Sequence, residues 1–286
     1  GDFFGTKGVD HIAKEGCITE IIGGSFPSGP TNAEPPLIWQ LITENKVRAY
    51  NLPSGVIYDM LREGAGKRPG VLTKVGFDTF VDPYLEGGAM NDAGRAVPIV
   101  DRRKFDGEEW LYFKALKPDV AIIRGTSADE RGNISFESEG AYLGAMEMAL
   151  AAHNTGGIVI AQVRRVVQNG SINPHAVHVP GIIVDWLVET PDMLQTTATP
   201  YDPAISGELI RPLDSFQIPE FGIQKVIGRR VAQELQEGWA VNIGFGVSAN
   251  VPRIFLEEGK HGAVTWVIEQ GAVGGIPLLD FKFGCA

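Results

Sequence analysis

The chain has 286 residues, 44% of them hydrophobic and 21% charged, which is enough to bury one large or two medium cores, and two are expected. A formal net charge of -10 and a sequence pI near 5.0, without a basic stripe, argue against nucleic acid as a partner and favour small molecules. No apolar run approaches the ~18 residues of a membrane span, and Gly1-Asp2-Phe3-Phe4 lacks the charged start of a secretory leader, so a cytoplasmic protein is expected.

Pro35-Pro36 followed by Leu37-Ile38-Trp39-Gln40-Leu41-Ile42 has the proline start and apolar spacing of a short helix, and Val47 to Leu52 reads as a strand. A second helix is predicted from Ser54, as N-cap, to Glu63, stopped by Gly64-Ala65-Gly66. Asp119 to Ile123 is a buried-type strand, Gly140 to His153 an apolar-rich helix closed by Asn154-Thr155-Gly156-Gly157, and Ile158 to Val163 another buried strand. That order is the rhythm of a parallel α/β sheet. The stretch from Leu194 to Pro219, rich in Thr, Pro and Asp, reads as an inter-domain linker. A helical stripe then runs through Ile223, Val226, Ile227, Val231 and Leu235. It is followed by a strand at Trp239 to Ile243, a glycine turn, a short helix reaching Glu258 and a last strand ending at Glu269.

Two functional readings meet at that end. Gly244-Phe245-Gly246-Val247-Ser248-Ala249 matches G-x-G-x-x-A between a strand and a helix, and Glu269 lies ~20 residues on, where a ribose-binding acid belongs, so an NAD-dependent oxidoreductase is one reading. Against it, Pro252 is expected to break the first turns of a helix that is already short, and Glu269 is followed by Gly271, Gly274 and Gly275. Glycines beside a strand-end acid leave it uncovered and let backbone N–H groups approach a substrate, which suits a carboxylate nucleophile. Tight turns that merely close a sheet are the third reading. Both functional readings place an anionic ligand at a helix N-terminus.

Other candidates carry less. His175-x-x-His178 lies in what reads as an extended stretch, where i and i+3 point to opposite faces, so no metal site is expected. Cys17 and Cys285 have no metal spacing and read as free thiols. His11, His153 and His261 have no partner at catalytic spacing, and neither glycine turn completes G-x-S-x-G. Asp129-Glu130-Arg131 reads as a solvated charged turn.

Glu269 through Gly275 resembles the E-x-G-x-x-G-G signature of the family I coenzyme A transferases. The resemblance extends over nearly the whole chain: Gly5 to His11 with Gly16 and Ile22-Gly23-Gly24, then Lys117 to Ile134, then Val179 to Asp185. Tyr201-Asp202-Pro203, Ser206-Gly207-Glu208 and Val241 to Gly246 continue it in order. The nearest branch resembles the acetate and propionate CoA-transferases. The chain departs from the family at Gly24-Ser25-Phe26-Pro27-Ser28-Gly29 and at Ser248, where proline is common.

The resemblance implies an α/β fold of two open parallel-sheet domains, the second truncated. The first domain would span residues 1–200 without its N-terminal part, the linker 201–220, and the start of the second domain 221–286, so the chain is expected to be an internal fragment. It further implies transfer of CoA between a short-chain acyl-CoA and a carboxylic acid, with Glu269 as the residue acylated and then converted to a glutamyl-CoA thioester. Gly244, Gly246 and Gly271 are the expected oxyanion donors, Gly274 and Gly275 the sites that admit the pantetheine arm, and Gly23 and Gly24 further substrate-binding positions. No metal and no cofactor is implied, coenzyme A being a substrate. The chains are expected to form homodimers or homotetramers.

Overall fold

A computed structural model describes residues 8–26, 36–196, 199–268 and 271–279. The first elements are β1 (Glu20–Gly23), α1 (Leu37–Thr43), β2 (Arg48–Asn51) and α2 (Ser54–Ala65). Then come β3 (Gly70–Thr73), α3 (Asp92–Arg95), β4 (Val100–Phe105) and β5 (Glu108–Lys114). The central elements are β6 (Val120–Asp129), β7 (Ile134–Ser135), α4 (Ala145–Asn154), β8 (Ile158–Val167), β9 (Val177–Val179) and β10 (Trp186–Glu189). The last four are α5 (Ile223–Ala232), β11 (Ala240–Ile243), α6 (Val251–Glu257) and β12 (Thr265–Ile268).

The α/β class is as expected, but the sheets are not all parallel. β6, β8 and β10 run parallel, with Ile122 opposite Ile160 and Ile160 opposite Trp186, while β7 and β9 extend the same sheet antiparallel. Alternate residues Ala121, Ile123, Val159, Ala161 and Val163 pack against Ala145, Ala149 and Ala152 of α4. The small alanines let the helix lie close to the strands. β1 and β2 form a separate parallel pair. β3, β5 and β4 form an antiparallel sheet that periodicity did not reveal. Its β4–β5 hairpin turns on Asp106 (φ 51°) and Gly107 (φ 83°), the two left-handed positions that an Asp-Gly turn supplies. Arg102 of β4 donates to the buried Asp82 carboxylate (Nε to Oδ1, 3.0 Å) and holds its pKa down to about 2.

Three local expectations are corrected. Pro53, not Ser54, occupies the N-cap of α2, and no side chain caps it. The glycines of Gly64-Ala65-Gly66 do not stop that helix by left-handed geometry. Gly66 has φ -79°, and Lys67 (φ 55°) takes the left-handed position, with Lys67 N donating to Gly64 O (3.0 Å) and Arg68 N to Glu63 O (2.8 Å). Gly64 is instead a packing residue, since a Cβ there would lie 1.9 Å from the Leu116 carbonyl oxygen. Gly64→Ala is therefore expected to destabilise the fold by about 3 kcal/mol in denaturant unfolding, because α2 would have to lift from the chain entering β6.

Asp129 is likewise no solvated turn residue: it is 2% exposed. Its carboxylate accepts from Arg131 N (2.9 Å), Asn133 N (3.0 Å) and Asn133 Nδ2 (2.9 Å), and these bonds outweigh burial to lower its pKa. Asn133 Oδ1 in turn accepts from Gly181 N (2.9 Å), where a Cβ would come 2.0 Å from Arg131 O. Two sequence segments singled out separately, Lys117 to Ile134 and Val179 to Asp185, thus clasp each other.

Candidate active site

β11 and β12 pair in parallel, with Ala240 opposite Thr265 and Ile243 opposite Ile268. Both strands therefore end on the same side, and the turns that follow them open there. This is the edge at which open parallel sheets hold ligands. The pair is seated by Trp266, which is buried edge-on against Phe255 of α6 at 5.1 Å, and by Ile243, Val264 and Ile268. α5 is tied to α6 through Lys225 Nζ, which donates to Glu257 Oε1 at 2.8 Å and lowers the pKa of that carboxyl.

After β11, Gly246 adopts φ 105° and ψ -143°, a conformation that favours glycine, and leads into a 3-10 turn, Val247–Asn250, that runs on into α6. Ser248 Oγ donates to Gly244 O (2.8 Å) and closes the turn by a side-chain bond at the position where the resembling family often has proline. Contrary to expectation, Pro252 does not break the helix. It stands in the first turn of α6, where its missing N–H costs nothing.

After β12 the chain reverses: Ile268 N donates to Ala272 O (2.8 Å), Gly274 N to Trp266 O (2.8 Å), and Val267 bridges Val273 antiparallel. Glu269 and Gln270 lie outside the described residues; Glu269 follows Ile268 directly in the chain. Gly271 (φ 106°) and Gly274 (φ 86°) are left-handed. Among the described residues, a Cβ at Gly246, Gly271, Gly274 or Gly275 would meet nothing within 4 Å. One expectation is corrected: the Gly271 N–H donates to Ile268 O at 2.7 Å and is not free to serve an oxyanion in this conformation.

Gly244, Gly246, Gly271, Gly274 and Gly275 are thus gathered at one end of one strand pair. Gly23 and Gly24 stand at the end of the other parallel pair, where Gly23 is opposite Asn51 and accepts from Leu52 N (3.0 Å). With its amide turned so that nitrogen faces the two carbonyls, the assignment that satisfies both ends, Asn51 donates to Gly24 O (2.9 Å) and Gly23 O (3.1 Å). Asn51 carried no motif, and only its place opposite Gly23 reveals it. Beyond Phe26, whose carbonyl accepts from Trp39 Nε1 (3.0 Å), residues 27–35 lie outside the described residues.

Among the described residues no group of three or more His, Cys, Asp or Glu side chains is arranged for a metal. The His175–His178 stretch is a 3-10 turn, Pro174–Ala176, followed by β9. His178 stacks on Tyr142 (4.0 Å, 12°) and meets Phe136 edge-on at 4.9 Å, and burial lowers its pKa. Among the described residues no helix is long and apolar enough to cross a membrane.

The family model described as coenzyme A transferase matches residues 4–190. The caffeate CoA-transferase of Acetobacterium woodii is 40% identical over 285 residues, covering 97% of this chain and 52% of that protein. The acetate CoA-transferase YdiF of Escherichia coli K12 is 34% identical over 279 residues, covering 97% of this chain and 51% of that protein. A crystal structure of acyl-CoA transferase YdiF from E. coli O157:H7, a thioester complex with CoA, superposes with a TM-score of 0.85 at 33% identity, over 98% of this chain and 55% of that one. Glutaconate CoA-transferase of Acidaminococcus fermentans shares the fold, at a TM-score of 0.51 and 16% identity. The chain spans about half the length of the curated relatives it matches. The oxidoreductase reading falls here: these relatives are CoA-transferases over nearly the whole chain, the G-x-G-x-x-A stretch included. With the family model matched across residues 4–190, the chain belongs to the coenzyme A transferase family.

Proposed function

We propose that the whole protein transfers coenzyme A between a short-chain acyl-CoA and a carboxylic acid, with Glu269 as the covalent nucleophile. The observation that carries this reading is the parallel pairing of Ile243 with Ile268, which puts the Gly244–Gly246 turn beside the strand end that Glu269 follows. The Glu269 carboxylate would attack the thioester carbonyl, and the CoA thiolate would leave with the bonding electrons to give a mixed anhydride. The thiolate then attacks the glutamyl carbonyl and expels the first carboxylate, leaving a glutamyl-CoA thioester that a second carboxylate reverses. Both intermediates are activated acyl compounds, so the protein's task is to stabilise tetrahedral oxyanions. With the Gly271 N–H committed, the backbone N–H groups of Gly244 and Gly246 are the proposed donors, each worth ~3 kcal/mol. The flanks at Gly274 and Gly275, open among the described residues, suit the pantetheine arm.

We assign residues 1–200 to a first domain, 201–220 to a linker and 221–286 to the start of a second. A hydrophobic cluster drawn only from positions 232–279 supports the last division. Homodimers or homotetramers are the proposed assembly. The kinetic test is initial-rate transfer from an acyl-CoA to acetate, propionate, butyrate, lactate or acetoacetate with both substrates varied. Parallel double-reciprocal lines are expected for the best acceptor. Intersecting lines would mean a ternary complex and contradict the covalent route.

A further inference from the structure

Between β10 and α5, residues 190 to 222, the described residues hold one short 3-10 turn, Leu213–Ser215, and by composition the stretch reads as a flexible connector. Its contacts say otherwise. On the face of the central sheet turned away from α4, Arg124 of β6 donates through Nη2 to Gln195 O (2.7 Å), and Arg164 of β8 donates through Nη2 to Met193 O (3.0 Å) and Pro200 O (3.2 Å). Gln195 is 1% exposed. Its side-chain amide joins two places, Nε2 donating to Ser138 O (2.7 Å) and Oε1 accepting from Asp202 N (2.6 Å). Asp202 then pairs with Arg211, and Tyr201 OH donates to Glu208 (2.9 Å). Past the 3-10 turn, the Phe216 ring lies 5.6 Å from the Arg253 guanidinium of α6, the helix that begins just after the Gly244–Gly246 turn. Contacts thus lead from the sheet of the first unit through the Asp202–Arg211 pair, and, past the 3-10 turn, from Phe216 to the helix beside the glycine turn.

We propose that residues 193–196 and 199–216 form a rigid strut that sets the Gly244–Gly246 turn relative to the first unit, with Gln195 as the positioning residue at its root. The proposal rests on the CoA-transfer reading for its functional consequence. Shortening a free connector would by itself raise local concentration only about twofold. Fixed orientation is the larger effect, because displacing reacting groups by ~1 Å costs ~10²-fold in rate. Removing the root should therefore lower kcat rather than weaken substrate binding.

The test uses the full-length protein as wild type, Gln195→Met and Gln195→Glu. Methionine keeps the volume and loses both side-chain bonds, whereas glutamate keeps the acceptor for Asp202 N and loses the donor to Ser138 O. Amide exchange over residues 199–211 is expected to quicken at least ~10-fold in Gln195→Met and less in Gln195→Glu, with β6 and β8 as protected as in wild type. In transfer assays kcat is expected to fall ~10–100-fold in Gln195→Met, with KM for acyl-CoA nearly unchanged and partial recovery in Gln195→Glu. Unchanged exchange over 199–211, an unchanged kcat, or a kcat loss matched by lost protection in β6 and β8 would each overturn the strut. If the wild type transfers no CoA, the functional reading fails, and the exchange measurement still decides whether the strut exists.

Discussion

Glu269→Ala in the full-length protein is expected to lower CoA transfer by more than ~10³-fold while leaving the melting temperature close to wild type. Removing a single oxyanion donor typically costs ~10²–10³ in rate, and losing the proposed nucleophile should cost at least as much, because in the covalent route it is the Glu269 carboxyl that carries CoA between the half-reactions. Stability should be spared because β12 is held by Trp266 and Ile268, both buried, and by the hydrogen bonds that reverse the chain at Ile268, Ala272 and Gly274. None of these needs the side chain at position 269. Circular dichroism and thermal melting, run beside the rate assay, separate a chemical loss from an unfolded protein. Retention of more than a few per cent of the wild-type rate would remove Glu269 from the mechanism.

Much of the fold was legible in the chain because its periodicities are strong. α1, β2 and the β6–α4–β8 unit fall where apolar spacing put them, although β6 runs on to Asp129 and β8 to Val167. The start of α4 was placed too early. Residues 140–142 are irregular and Leu143 and Gly144 form a left-handed turn, a geometry that an apolar count does not register. The β3–β5–β4 sheet carries a signal in the chain as well, since Asp106-Gly107 between two alternating runs is a hairpin pattern. Gly64 shows a deeper limit. A glycine near a helix end is written the same way whether it stops the helix or makes room for a carbonyl from another segment, and only the position of Leu116 decides.

The candidate site divides along the same line. Left-handed backbone at Gly246, Gly271 and Gly274 was readable, because a G-x-G turn and an acid followed by spaced glycines have few other uses. The use of the Gly271 N–H was not readable, since it depends on the reversal that brings Ile268 O within 2.7 Å. Ser248 was noted only as a departure from a family pattern, yet its hydroxyl closes the turn through Gly244 O. Asn51 had no sequence signal at all, because strand register alone sets it beside Gly23 and Gly24.

The covalent route is tested most directly by the mass of the protein itself. Full-length protein incubated with an acyl-CoA and no acceptor acid is expected to gain one CoA-sized addition per subunit, since the half-reaction stops at the glutamyl thioester. The addition should map to Glu269, disappear when acetate is supplied, and be absent in Glu269→Ala. A direct transfer between two bound substrates leaves no such species, and a hydrolase acting through water leaves free acid and unmodified protein. Cys17, which is exposed, offers a false positive through disulfide exchange, distinguished by its removal with a thiol reductant. A CoA addition on Glu269 that acetate discharges is the result the account predicts; unmodified protein under turnover conditions, or an addition that only a reductant removes, would contradict it.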